Sequence, residues 1–215
     1  MTLAAPPLAP SASEQEAAPL LLPPDLRLTL EQFEQVCEAN PEAVLELAAD
    51  GQLIAMTPTG GETSSRNSRL LIQLGMALPR CDASLRIFDS SGAFRLPDGS
   101  VRSPDASLVL EERWQALAPE QRRRFPPLCP DLVVELASPS DEGPRGITAL
   151  RRKMAAYQRN GARLGWLLIP QQRAVEISGP LEGGEQGRRI EPATRLEGGA
   201  EFPGLGIDLE PIWAE

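Results

Sequence analysis

The residue types able to do chemistry in this chain are few. There is no histidine, which removes Ser-His and Cys-His catalysis, histidine general bases and the common zinc hydrolase sites. Three cysteines, Cys37, Cys81 and Cys129, are odd in number, widely spaced and form no CxxC pair. Neither a zinc ribbon nor a disulfide framework is indicated, and free or buried thiols are expected. Acid–base work is left to carboxylates, one lysine and one tyrosine.

Two carboxylates stand out by their neighbours. Glu135 lies in the apolar run DLVVEL (131–136). In a strand Leu132, Val134 and Leu136 face one way, and Val133 and Glu135 the other. A carboxylate there is costly unless a cation or donors meet it, or unless it points to solvent at a strand end. Asp105 opens the strand-like run DASLVL (105–110) after Pro104. Alone it reads more readily as a turn residue before a strand. Together, two acids beside short apolar strands can sit side by side in one sheet. Hard oxygen ligands of that kind suit magnesium or manganese, whereas zinc prefers nitrogen or sulfur. Glu62 is a weaker third candidate, because a carboxylate in the first turn of a helix is favoured by the helix dipole in any case.

The basic residues are lopsided: twenty arginines and a single lysine, Lys153. In such a background arginine is expected wherever a generic positive charge suffices. A lysine is kept where a compact ammonium is needed, unless it is simply a stray surface residue. Tyr157, the only tyrosine, follows four residues later on the same helix face, where helix packing also explains it. From Arg145 to Arg163 there are six basic residues and no acidic one. With net charge -9 and a pI near 4.8, bulk coating of nucleic acid is excluded, and this run is where a phosphate backbone would approach. Arg66, Arg151 and Arg152 are candidates for such contact.

These groups need elements to position them. The 215 residues, 41% hydrophobic, suit one domain with a tail. Residues 1 to about 25 are rich in Pro and Ala and read as a flexible tail, leaving 26–215 as the domain. Thr29 and Gln32 form a capping-box pattern for a helix to about Ala39, stopped at Asn40-Pro41. Strand-like runs 43–47 and 52–56 flank Asp50-Gly51, a hairpin signal. A long helix is expected from about Glu62 to Leu78, with an apolar stripe through Leu70, Leu74 and Ala77. A second hairpin is expected from Ser84–Phe88 and Ala93–Leu96. An insertion at 111–130 should hold one short helix. A further helix spans about Gly146 to Asn160, with Gly161 after its end. Strands at 164–169 and 173–177 pair across Pro170, and Ile212-Trp213 anchors the C-terminal segment. The mixed order predicts an α/β domain with a central mixed sheet flanked by helices. The N-terminus has no basic leader, and Leu20 to Leu22 is too short to cross a bilayer, so a cytoplasmic protein is expected.

Several blocks in order resemble the Uma-type family of bacterial restriction endonuclease-like proteins, within the PD-(D/E)xK nuclease superfamily. They are TPTGGET (57–63) with Arg66-Asn67, FDSSGAFRLPDG (88–99), RSPDASLV (102–109), FPPLCPDLVVELASPSD (125–141), KMAAYQRNGARLGWLLIP (153–170) and FPGLGIDLEPIW (202–213). The resemblance covers about residues 25 to 213. It implies a restriction-endonuclease-like fold and metal-dependent DNA cleavage with Mg2+ or Mn2+, weak DNA binding without metal, and a homodimer. Asp105 would be the Asp of the PD motif and Glu135 the acid on the next strand; these two would hold the metal. Where the superfamily places its lysine two positions after that Glu, this chain has Ala137, and Lys153 would be a migrated replacement. Glu62 would match the acid often found on the first core helix. Two other readings stay open: a catalytically silent nuclease fold that binds nucleic acid or regulates, and a metal hydrolase for a small phosphorylated molecule.

Overall fold

The computed structural model describes residues 23, 25–56, 59–141, 143–179 and 188–214. The Pro/Ala-rich segment of the sequence reading therefore lies, apart from Pro23 and Asp25, outside the described residues. The first helix, α1 (Leu30–Ala39), has the expected capping box: the Gln32 N–H donates to Thr29 Oγ1 and the Thr29 N–H donates to Gln32 Oε1. Strands β1 (Leu45–Leu47) and β2 (Leu53–Ala55) form the predicted hairpin. Gly51 turns it at φ +84, in the left-handed region that Gly adopts without cost. Helix α2 (Gly61–Ala77) follows.

Next come β3 (Leu85–Asp89), β4 (Phe94–Arg95), β5 (Val101–Arg102) and β6 (Ala106–Leu110), then short helices α3 (Glu111–Gln115) and α4 (Pro119–Arg123). The central strand β7 (Leu132–Leu136) leads through α5 (Pro144–Arg159) to β8 (Leu164–Ile169) and β9 (Ala174–Ser178). β10 (Arg188–Ile190), β11 (Arg195–Glu197), β12 (Gly206–Asp208) and α6 (Glu210–Trp213) complete the order.

Six strands make the main sheet in the order β10-β9-β8-β7-β6-β3. Only β7 and β8 are parallel, and α5 is the crossover that a parallel pair requires. The sheet is mixed and carries helices on both faces, as predicted. On one face Leu132, Val134, Leu136, Trp166 and Leu168 pack under Leu70, Leu74 and Ala77 of α2 and the C-terminal Ile212 and Trp213. On the other, Val109, Val133, Leu167 and Ile169 pack under Ile147, Met154 and Tyr157 of α5. Burial on both faces explains why β7 and β8 read as nearly continuous apolar runs. A smaller sheet, β2-β1-β5-β4, has its own core around Phe33, Leu45, Leu53 and Val101.

Two expectations are corrected. The hairpin expected from 84–88 and 93–96 does not form: β3 pairs with β6 in the main sheet, and β4 pairs with β5 in the smaller one. A tight turn at Asp89–Gly92 is present, with the Gly92 N–H on the Asp89 carbonyl, but it passes the chain between sheets instead of folding it back. The 111–130 insertion holds two short helices instead of one. No helix among the described residues is long and apolar enough to cross a membrane.

Candidate active site

Asp105 and Glu135 are brought together by strand register. Ala106 of β6 lies opposite Val134 of β7 in the antiparallel ladder, so one step further Asp105 stands beside Glu135. By alternation both share the face covered by α5. The Asp105 carboxylate accepts the Leu136 N–H at 2.8 Å and a hydrogen bond from the Asn67 amide of α2. The α5 crossover then lays Lys153 and Tyr157 over Glu135. Lys153 Nζ is 2.9 Å from Glu135 Oε1, and the Tyr157 hydroxyl donates to the same oxygen at 3.1 Å. Lys153 thus reaches Glu135 from the crossover helix.

A third acid, absent from the sequence reading, completes the group. Glu46 of β1 is 2.9 Å from Lys153 Nζ. It is placed by the smaller sheet: Leu47 pairs with Val101, so Glu46 lies opposite Arg102. Its carboxylate takes the Arg102 guanidinium at 2.9 Å and the Ser103 N–H at 2.9 Å. Residues 103–105 are the link from the smaller sheet into β6, which is why Glu46 and Asp105 come to the same place. The ammonium's third donor goes to the Ser103 carbonyl at 3.1 Å. Lys153 therefore sits between three oxygens. A planar guanidinium does not fit that arrangement, and this gives a physical reason for the single lysine.

The electrostatics follow from the crowding. Burial pushes the Glu135 carboxyl up to about 8; Lys153 opposes that, and the charges of Asp105 and Glu46 add to it. Burial also raises Asp105, against the Leu136 N–H and Lys153. Burial works against ionised Glu46 too, but Lys153, the Ser103 N–H and Arg102 outweigh it and hold its carboxyl below the ordinary range. Lys153 loses by burial and gains more from Glu135 and Glu46, so it is held above its ordinary value. Burial, with Glu135 and Glu46 beside it, keeps the Tyr157 hydroxyl protonated well beyond its usual range.

This donor set fits a hard divalent cation that keeps much of its own water. It offers oxygen only, and Asp105 and Glu135 are adjacent. The proton that burial favours on Glu135 is one a cation would displace. It is not a closed cage: among the described residues no three His, Cys, Asp or Glu side chains form a metal-ligand group. Five buried side-chain polar atoms in the described residues lack a hydrogen-bond partner; Asn67 Oδ1 and Arg102 Nε belong to residues that meet Asp105 and Glu46, and Arg66 Nε lies one residue before Asn67 on α2. Two are donors and one an acceptor, the kind of groups a phosphate and a water shell satisfy.

Glu62 stands apart from this group. It pairs with Arg66 one helical turn on, at 2.7 Å, and is half exposed. Of the basic run on α5, Arg151 is bound to Glu176 through both Nε and Nη2. Arg145, Arg152 and Arg159 are exposed and make no ion pair with a described residue. The three cysteines are free thiols, and burial pushes Cys129 up to about 12, which keeps it an inert thiol.

Nothing near Glu46 marks it as a site residue, because a Glu between two leucines in a hairpin reads as the solvent side of a strand. The residues on that same hairpin face, Val44, Ile54 and Met56, are apolar, but Val44 and Met56 are themselves exposed, so the pattern does not single out Glu46.

No curated protein matches the chain. A solved structure, described as a putative nuclease belonging to DUF820 from Anabaena variabilis, shares the fold with a TM-score of 0.68 at 18% identity, over 86% of this chain and 97% of that one. The Uma2 family, described as "Putative restriction endonuclease", matches residues 30–210, which include all six strands of the main sheet and the whole acidic group, and the chain belongs to that family.

Proposed function

We propose that this protein is a DNA endonuclease whose Asp105 and Glu135 hold a magnesium or manganese ion. The observation that carries the reading is the pair of buried carboxylates from neighbouring strands with the only lysine against one of them. A nuclease-like fold and family membership support it. Phosphodiester hydrolysis is among the slowest reactions in water and needs strong electrostatic help. The bound metal supplies a water of lowered pKa and positive charge toward the phosphoryl oxygens.

The chain's own residues do the positioning. The Leu136 N–H and Asn67 fix Asp105, so its orientation does not depend on a flexible side chain. Tyr157 and Lys153 fix Glu135. Lys153 keeps Glu46 and the Ser103 carbonyl as anchors while one donor turns from Glu135 to the attacking water or the scissile phosphate. Arg145, Arg152 and Arg159, seven residues apart along α5 and so about 10 Å apart on one side of the helix, offer a track for the strand.

One observation favours a second reading, a nuclease fold that binds nucleic acid without cutting it. All three donors of Lys153 are already engaged. Assays on plasmid and oligonucleotide DNA with magnesium or manganese separate the two. Cleavage by the wild type and none by Asp105→Asn is expected. A folded wild-type protein that binds DNA but cuts none with either metal leaves only the silent reading. Lys153→Arg is the sharper probe, because unchanged turnover would show that any positive charge suffices.

A further inference from the structure

We propose that Arg66 and the first turn of α2 form a subsite for a phosphate of the bound DNA strand, and that Glu62 occupies this subsite when no strand is present. The inference rests on the nuclease reading and deepens it.

Arg66 lies on the buried stripe of α2, in line with Thr63, Leu70, Leu74 and Ala77, and is only 6% exposed. Side chains on a helix lean toward its N-terminus. Accordingly the guanidinium reaches back to the first turn, where Nη2 meets Glu62 Oε1 at 2.7 Å. Its Nε is buried and has no acceptor. The guanidinium thus shows an edge of two donors and fills one of them. A phosphate fills both with two oxygens of one group, which a single Glu62 oxygen does not.

The helix end adds to this. α2 starts at Gly61 after Gly60, and no side chain caps it. Its first N–H groups and the helix dipole favour an anion at that point. The next residue of α2, Asn67, meets Asp105, so the same helix carries both the Arg66 donors and one support of the acidic group. Glu62 suits the part of occupant: its carboxylate balances the buried guanidinium, and its side chain is 50% exposed, free to swing into solvent when a strand arrives. A carboxylate that gives way to phosphate also limits DNA binding by a protein of net charge -9 to strands that can displace it.

The test is duplex binding by fluorescence anisotropy at low salt with a chelator present, using the full chain. Glu62→Gln is expected to bind a labelled duplex about 5-fold tighter, the upper value of an exposed ion pair. Arg66→Gln is expected to bind about 10-fold weaker, with the salt dependence reduced by about one phosphate contact. Because Arg66 is buried, its variant could misfold; Glu62→Gln changes an exposed group and carries the test alone. Unchanged or weaker binding by Glu62→Gln overturns the proposal while leaving the nuclease reading intact. Inorganic phosphate, against chloride at equal ionic strength, should displace the duplex more from the wild type than from Arg66→Gln, since both ligands use the same donors; equal displacement from the two proteins overturns the strand assignment. A wild type that binds no DNA, duplex or single strand, either with the chelator or with magnesium, defeats both readings.

Discussion

The antiparallel pair β6–β7 is clasped at its two ends by aspartates in the same way, yet the ends differ in what surrounds the clasp. Asp131, just before β7, accepts the N–H of Leu110, the last residue of β6, at 2.8 Å. Asp105, just before β6, accepts the N–H of Leu136, the last residue of β7, at 2.8 Å. At the Asp131 end the remaining oxygen meets Arg113 at 2.7 Å, and that arginine also reaches the Cys129 carbonyl. One acid has one partly exposed base. At the Asp105 end three acids, Asp105, Glu135 and Glu46, share Lys153, with Arg102 on the outer side of Glu46. The hydrogen bond to the ladder is the same; the charge balance is not. A buried carboxylate is structural where its charge is met locally, and a candidate for chemistry where it is left in surplus.

The largest effect should come from neutralising one acid at each end. Asp105→Asn keeps an oxygen for the Leu136 N–H and removes the charge. It should lower metal-dependent cleavage by about 100-fold or more, since even residues one step behind a metal ligand cost about 10- to 100-fold. Asp131→Asn should leave turnover per folded molecule within about 2-fold, because its partners lie at the far end of the ladder. Single-turnover cleavage of a plasmid by both variants checks this; equal losses would erase the distinction between the ends.

Stability should show the reverse order. Asp131→Ala strips the Leu110 N–H of its acceptor and should cost about 2 kcal/mol, the penalty for an unsatisfied buried group. For a chain of this size that is a fall in Tm of about 6 °C. Asp105→Asn should move Tm less, since it retains the acceptor. Calorimetry on metal-free protein makes the comparison.

The surplus of acid also predicts a pH dependence. The Glu135 carboxyl is raised to about 8 in the folded chain, against about 4.3 in an unfolded one. The folded state therefore holds this proton more firmly than the unfolded state. The contribution is fully present below the unfolded value and is lost as pH rises through about 8. Melting of the chelated wild type should show Tm declining from pH 5 to 9, and Glu135→Gln should remove that decline. Parallel curves for the two proteins would mean that Glu135 is already ionised at neutral pH.

These contrasts also show what the amino-acid order could and could not reveal. Asp105 and Glu135 were legible because each interrupts or opens an apolar strand, and strand alternation then places them on one face. Lys153 was legible by its rarity among arginines, although its reach depends on how α5 crosses the sheet, which no local pattern encodes. Glu46 was missed because its burial comes from β5 and α5, 56 and over 100 residues away in the chain. The false hairpin at 84–96 has the same origin. The turn at Asp89–Gly92 is a genuine local signal, but strand partners are chosen by long-range packing, and β6 offers β3 a five-residue ladder.

The smallest effect concerns Tyr157, whose place could be packing alone. It is fully buried among Val133, Met154 and Leu167, so deleting one oxygen leaves the packing intact. Its hydroxyl donates to Glu135 Oε1, the oxygen that Lys153 also meets. Tyr157→Phe should cost about 1 kcal/mol, the usual worth of one hydrogen bond. The cost should depend on pH. A donor to a carboxylate favours its ionised form, so removing it should raise the Glu135 carboxyl further and move the decline in Tm to higher pH. At the Asp131 end no comparable shift should follow from Arg113→Lys, which keeps the charge. If the Tyr157→Phe and wild-type curves coincide in shape, the tyrosine is a filler of the core and Lys153 alone sets the state of Glu135.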